Sequence, residues 1–189
     1  MESKERQFST HWAFPFLPPK SRRRLCPMTE VKSTQPLTET KAEIAFRWWD
    51  HNIRPRDTKS RARSLAACLR RGDGVTILSQ PEVQKLASDL EFQPHNARSL
   101  IRLSQILSCI REDDSRSLAT IIGGNPPLLS PLRFHKILRA EFKDEELVDY
   151  LRRAVDMAGK RCNVESMAGD LIYWGDAVKT RWCFDYFGS

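Results

Sequence analysis

Cations, not nucleophiles or metal ligands, are the residues of this sequence whose spacing could do chemistry. Between positions 54 and 71 there are seven of them, Arg54, Arg56, Lys59, Arg61, Arg63, Arg70 and Arg71, against the single acid Asp57. Lys59, Arg63 and Arg70 fall at helical spacing on one face. A solvated helix face ordinarily mixes signs, with opposite charges at i and i+4. This face does not, so it reads as a surface for phosphate. The pattern recurs in Arg98, Arg102 and Gln105, and again in Arg133, Lys136 and Arg139, which meet no acid until Glu141. Lys179 and Arg181 lie on opposite flanks of the stripe Val178, Trp182 and Tyr186, so only one of them joins any given patch. Arg152 and Arg153 follow Asp149 by three and four residues, and ion pairing on one helix accounts for both.

The types needed for other chemistries are present but scattered. Cys26, Cys68, Cys109, Cys162 and Cys183 are far apart, an odd number without CxxC spacing, which argues against a disulfide framework or a zinc site. His11, His51, His95 and His135 have no partner at ligand spacing. Asp113-Asp114 and Glu145-Glu146 are the acid pairs of note, and neither has a His or Lys placed to complete an acid–base or metal constellation. The triplet Glu112-Asp113-Asp114 reads as a solvated loop, because consecutive side chains point in different directions. Trp48-Trp49 reads as core in preference to a base-stacking platform. No catalytic residue, metal or cofactor is expected.

The elements that must carry these cations follow a helical period throughout. Thr40-Lys41-Ala42-Glu43 has the form of a capping box and opens a helix with Ala42, Ala45, Phe46, Trp49 and Ile53 inside, ended by Pro55. A second helix runs from Asp57-Thr58 to Gly72, with Ala62, Leu65, Cys68 and Leu69 inward. The turn Gly72-Asp73-Gly74 lacks the spacing of a nucleotide-cradling loop. Helices follow over 81–90, from Asn96 as cap through Ile110, and over 118–122. Gly123-Gly124-Asn125-Pro126-Pro127 is the clearest break and divides a half near 38–122 from a half near 130–189. Beyond it, Ser130-Pro131 starts a helix as serine cap and first-turn proline, with Phe134, Ile137, Leu138 and Phe142 inward. Further helices span 145–158, 163–174 and 176–187. No long run alternates with period two. The expected fold is all-α, an irregular bundle of about eight helices in two packed halves.

The chain has 189 residues, a formal charge of +7 and a pI near 9.4, which favours an anionic partner. Residues 1–37 hold five prolines and no helical period, and are expected to form a disordered or loosely ordered leader. Met28-Thr29-Glu30 has the form of a true start. Residues 1–27 contribute six basic and two acidic residues, +4 of the total, so the folded body carries only +3 and the distribution of charge matters more than its sum. Ser21-Arg22-Arg23-Arg24-Leu25 lacks the apolar segment an export signal needs, and no stretch approaches a membrane span, so a cytoplasmic location without membrane contact is expected.

The order of motifs is similar to a known family. Leu132-Arg133-Phe134 with Ile137-Leu138-Arg139-Ala140 is followed by Leu147-x-x-Tyr150-Leu151-Arg152-Arg153-Ala154. Then come Asn163-Val164-x-x-Met167-Ala168-x-Asp170-Leu171-x-Tyr173-Trp174-Gly175 and Arg181-Trp182-x-Phe184-Asp185-Tyr186. With Phe46-x-Trp48-Trp49 and Leu69-Arg70-Arg71, this series resembles the CasB family, the small subunit of the type I-E CRISPR effector complex Cascade. The resemblance spans about residues 40–187, is most specific from Tyr173 to Trp182 and is weak over 73–128. It implies a helical, non-catalytic subunit, present as a pair beside a large subunit, backbone subunits and a CRISPR RNA. It implies further that basic residues line the path of target and displaced DNA, the matching positions being Arg63, Arg70, Arg133, Arg139 and Arg181.

The residues support such a mechanism without the resemblance. Cations spread over several helices, with no recognition helix, suit contact with sugar-phosphate backbone and not base readout. A helix–turn–helix regulator would need a polar second helix, whereas Val75-Thr76-Ile77-Leu78 follows the turn at Gly74. The candidate contacts are Lys59, Arg61, Arg63, Arg70, Arg98, Arg102, Arg133, Lys136, Arg139, Lys179 and Arg181.

Overall fold

The computed structural model describes residues 39–141 and 145–188. The leader, its charge count and the Met28 start lie outside these residues, as does Phe142. Ten α-helices account for nearly all the regular structure of the described residues, so the fold is all-α. They are α1 (Lys41–Asn52), α2 (Ser60–Arg71), α3 (Gly74–Leu78), α4 (Pro81–Asp89), α5 (Ala97–Cys109), α6 (Leu118–Ile122), α7 (Pro131–Arg139), α8 (Glu145–Met157), α9 (Val164–Ile172) and α10 (Asp176–Phe187). No helix among them is long and apolar enough to cross a membrane.

The capping box at α1 is complete: Thr40 Oγ1 accepts from the Glu43 amide at 3.2 Å, and the Glu43 carboxylate accepts from the Thr40 amide at 2.6 Å. Asn163 caps α9, accepting from the Ser166 amide at 2.7 Å. Two expected caps are absent. Asn96 turns its side-chain oxygen back onto the Gln93 amide at 3.1 Å, and Ser130 makes no side-chain cap bond to α7, whose start rests on Pro131 alone. The apolar run after Gly74 is itself helical, because Asp73 accepts from the Thr76 amide at 2.7 Å and Ile77 is buried.

Helix α5 lies at the centre. It packs against α2, α3, α8 and α9, while α1 lies on α9 and α10 on α6. Helices from either side of the break at 123–127 therefore share one continuous core instead of forming separate bodies. Gly123 belongs to that core, because a Cβ there would stand 2.2 Å from the Tyr186 carbonyl oxygen on α10. Both indoles at the end of α1 are buried; Trp48 donates to the Glu82 carbonyl at 2.8 Å and Trp49 to that of Ile110 at 3.2 Å. The stacking alternative for this pair is thereby set aside.

The acidic triplet is also more structured than a solvated loop. Strand β1 (Glu112–Asp113) pairs in parallel with β2 (Arg161–Cys162), and Asp113 accepts from the Val164 amide at 2.9 Å at the start of α9. Asp114 is bonded by Arg116, which holds its carboxyl down at about 2.

Candidate nucleic-acid interface

The eleven cations named above separate into those the fold leaves free and those it uses. On α7, Arg133, Lys136 and Arg139 are exposed and make no hydrogen bond or ion pair with any described residue. They stand outward because Phe134 and Ile137, at intervening positions, anchor the helix: Phe134 stacks on Tyr186 with ring centroids 4.0 Å apart, and Ile137 is fully buried. Helix α8 packs beside α7 and presents Arg153 to the same cleft, of about 380 Å³, that Arg133 and Lys136 line. Arg153 is exposed and unpaired among the described residues. This corrects the expectation that Asp149 accounts for both arginines of α8. Only Arg152 faces Asp149, at 3.9 Å, and it also donates to the Arg70 carbonyl at 3.1 Å. Spacing along α8 could not reveal this, because the deciding neighbour is α7.

The cations around α2 are mostly tied down. Arg61 makes a close pair with Glu82 of α4 at 2.6 Å, a partner from another helix that the local count of acids missed. Arg63 donates to the carbonyls of Arg56 and Asp57 at 3.1 and 3.0 Å, and Arg70 to that of Ala66 at 3.0 Å. Lys59 remains exposed and unpaired among the described residues, sharing a hollow of about 330 Å³ with Arg61. Arg54 is paired with Asp50 at 2.7 Å.

Arg56 is a core residue. Its guanidinium is buried and donates to the carbonyls of Ile53, Ser108 and Ile110, the first two at 3.1 and 2.8 Å. These include acceptors at the C-terminal end of α5 that no helical amide reaches. Burial lowers its pKa to about 10, which leaves it charged at neutral pH.

Two further expectations need correction. Arg102 is 5% exposed, because α8 and the α2–α3 turn cover α5 at this position. Arg98, one turn earlier, is exposed, is unpaired among the described residues and shares a cleft of about 470 Å³ with Arg102 and Arg152. Arg181 bonds Asp170 of α9, whose other oxygen accepts from the Trp182 indole at 2.6 Å. Asp170 is 2% exposed, and burial raises its carboxyl above the usual range despite both donors. Arg181 is thus a staple between α9 and α10, and Lys179 is half-buried and unpaired among the described residues.

Cys68, Cys109, Cys162 and Cys183 are unbridged, and burial raises Cys109 and pushes Cys162 up to about 12, which disfavours the reactive thiolate at these two. Among the described residues no three His, Cys, Asp or Glu side chains gather as a metal site. What the surface can do is hold anions on unpaired guanidinium and ammonium groups.

A protein-family model described as CRISPR-associated protein Cse2 matches residues 56–187, more than half of the chain. The chain belongs to the Cse2 family. Cse2 and CasB name the same family, the small subunit of type I-E Cascade, so the resemblance read from the sequence is the one the family model finds. The Cse2 match begins at Arg56 and leaves out α1, whose Phe46-x-Trp48-Trp49 the sequence resemblance includes. It covers the α7–α8 cleft and the Asp170–Arg181–Trp182 staple in full. No curated protein and no solved structure matches the chain.

Proposed function

We propose that this Cse2-family chain is a non-catalytic small subunit of a type I-E CRISPR RNA-guided complex, which binds nucleic-acid backbone and steadies the target and displaced strands of the opened DNA. Exchanging a DNA duplex for an RNA–DNA hybrid is nearly balanced in energy, so a few protein contacts to backbone tip it. The observation that carries the reading is the cluster of unpaired cations on α7 and α8, Arg133, Lys136, Arg139 and Arg153. Lys59 and Arg98 are further exposed positions, unpaired among the described residues. Its partners in this reading are CRISPR RNA, target DNA, the large and backbone subunits, and a second copy of the chain, in the cytoplasm.

The test is salt-dependent binding of single-stranded DNA. With about four phosphates engaged and a slope near −0.7 per contact, raising salt from about 50 to 200 mM weakens binding roughly fiftyfold. Reversing Arg133 and Lys136 to glutamate lowers affinity and flattens the salt slope. Reversing Arg47 and Arg54, which face Glu39 and Asp50 at 2.7 Å each, makes the same change in net charge and matters less. Equal losses from the two pairs would leave net charge as the whole explanation and remove the defined face.

A further inference from the structure

The cleft between α7 and α8 is more than a row of cations. Phosphate contact alone needs only charges on a convex surface, whereas these charges border a concavity with an apolar wall. Helix α7 supplies Arg133 and Lys136 at helical spacing, and α8 supplies Tyr150, Arg153 and Met157 on its facing side. Met157 is 39% exposed, an apolar side chain left open to water beside three unpaired cations. Asp156, whose nearest cation is Lys160 at 3.7 Å, adds one carboxylate at the edge.

We propose that this cleft receives one nucleotide of an unpaired strand with its base turned inward, an inference that rests on the nucleic-acid reading above. A volume of about 380 Å³ is at the lower end of small-molecule sites and suits a single base with its sugar. The phosphate meets Arg133, Lys136 and Arg153, where charge and geometry match. The base lies against Met157 and Tyr150, since a thioether packs favourably on an aromatic ring and an unstacked base needs such a surface. The Asp156 carboxylate repels phosphate and accepts from a base N–H, such as the N3–H of thymine, so it orients the nucleotide base-inward. Only an unpaired strand can deliver a base this way, because in a duplex the base is held in the stack.

The test compares two oligonucleotides on the full-length chain by fluorescence anisotropy: a twelve-residue thymidine strand and a strand of equal length and charge with abasic sugars. The intact strand binds about fivefold more tightly, the lower end of what one stacked base contributes. Met157→Ala removes that preference, and an unchanged melting temperature confirms that the variant is folded. As a second readout, thymidine monophosphate shifts the Met157 methyl resonance of the unmodified protein and inorganic phosphate does not. Equal binding of the two strands overturns the nucleotide site and leaves backbone binding intact. Binding of neither strand overturns both readings. A base preference that survives Met157→Ala, with a methyl resonance that does not move, places the base elsewhere and overturns the cleft. Equal affinity for a glutamate-rich peptide of the same charge assigns the cleft to protein and overturns it as well.

Discussion

Arg181→Ala separates the structural reading of that residue from the sequence-based one. If Arg181 is a staple, its loss destabilises the fold and leaves nucleic-acid affinity unchanged. Breaking a fully buried ion pair costs about 3–5 kcal/mol. Here the Arg181 side chain is 54% exposed, so screening by water reduces its share, while Asp170 is 3% exposed and retains the Trp182 indole. A loss of about 2 kcal/mol is the resulting expectation, in the range of a hydrogen bond between charged groups. For a body of this size that lowers the melting temperature by about 4–8 °C, measured by circular dichroism. The deficit also depends on pH. Removing the guanidinium raises the Asp170 carboxyl further above its unfolded value, so the penalty is present above that raised value and shrinks as acid protonates the group. Adding Asp170→Asn to Arg181→Ala restores part of the loss, because the uncompensated charge goes with it. An Arg181→Ala protein that keeps its melting temperature but binds DNA several-fold more weakly would refute the staple and return Arg181 to the interface.

Three other outcomes are expected. Gly123→Ala drives a methyl group to within 2.2 Å of the Tyr186 oxygen, both of them backbone-fixed, and lowers the melting temperature by about 5 °C or more; a shift below about 1 °C would show that α10 can move aside. Glu43, Asp73 and Asp114 are held below the usual carboxylate range by hydrogen bonds from Thr40, Thr76 and Arg116, so their stabilisation is complete above that range and is lost as pH falls through each lowered value, about 2 for Asp114. Thermal melts in acid test this, and Asp114→Asn should flatten the decline. Treatment with a chelator is expected to leave helicity unchanged, checked by circular dichroism before and after dialysis.

Much of the fold was legible because helical signals are local. Thr40 with Glu43 announced α1, Asn163 announced α9, and the apolar spacing of Leu100, Leu103, Ile106, Leu107 and Ile110 marked a buried face on α5. What failed was inference about the opposite face. A stripe of Arg98, Arg102 and Gln105 looks solvated on a helical wheel, but the wheel does not know that α8 and the α2–α3 turn cover it at Arg102. The same limit governs charge pairing. Spacing along one helix assigned Arg152 and Arg153 to Asp149 and left Arg61 free, whereas Glu82 arrives from α4 and α7 decides what Arg153 faces. Two caps were misjudged because Asn96 and Ser130 have the right residue type, while side-chain rotation decides whether the bond forms. The α7 row is exposed as its spacing implies, because that helix packs chiefly on α8, and outward in sequence is there outward in space.

The stacking of Phe134 on Tyr186 sets an order of events during synthesis. Helix α7 carries the free cations, yet the ring that fixes its inner face, and the hydroxyl that bonds the Leu129 carbonyl just before it, come from the last turn of α10. A nascent chain that has extended past Arg153 already contains every cation of the α7–α8 cleft but not the side chain that orients α7. The α7–α8 face is therefore arranged only after Tyr186 has been made. Until then its cations are present without the contact that orients their helix.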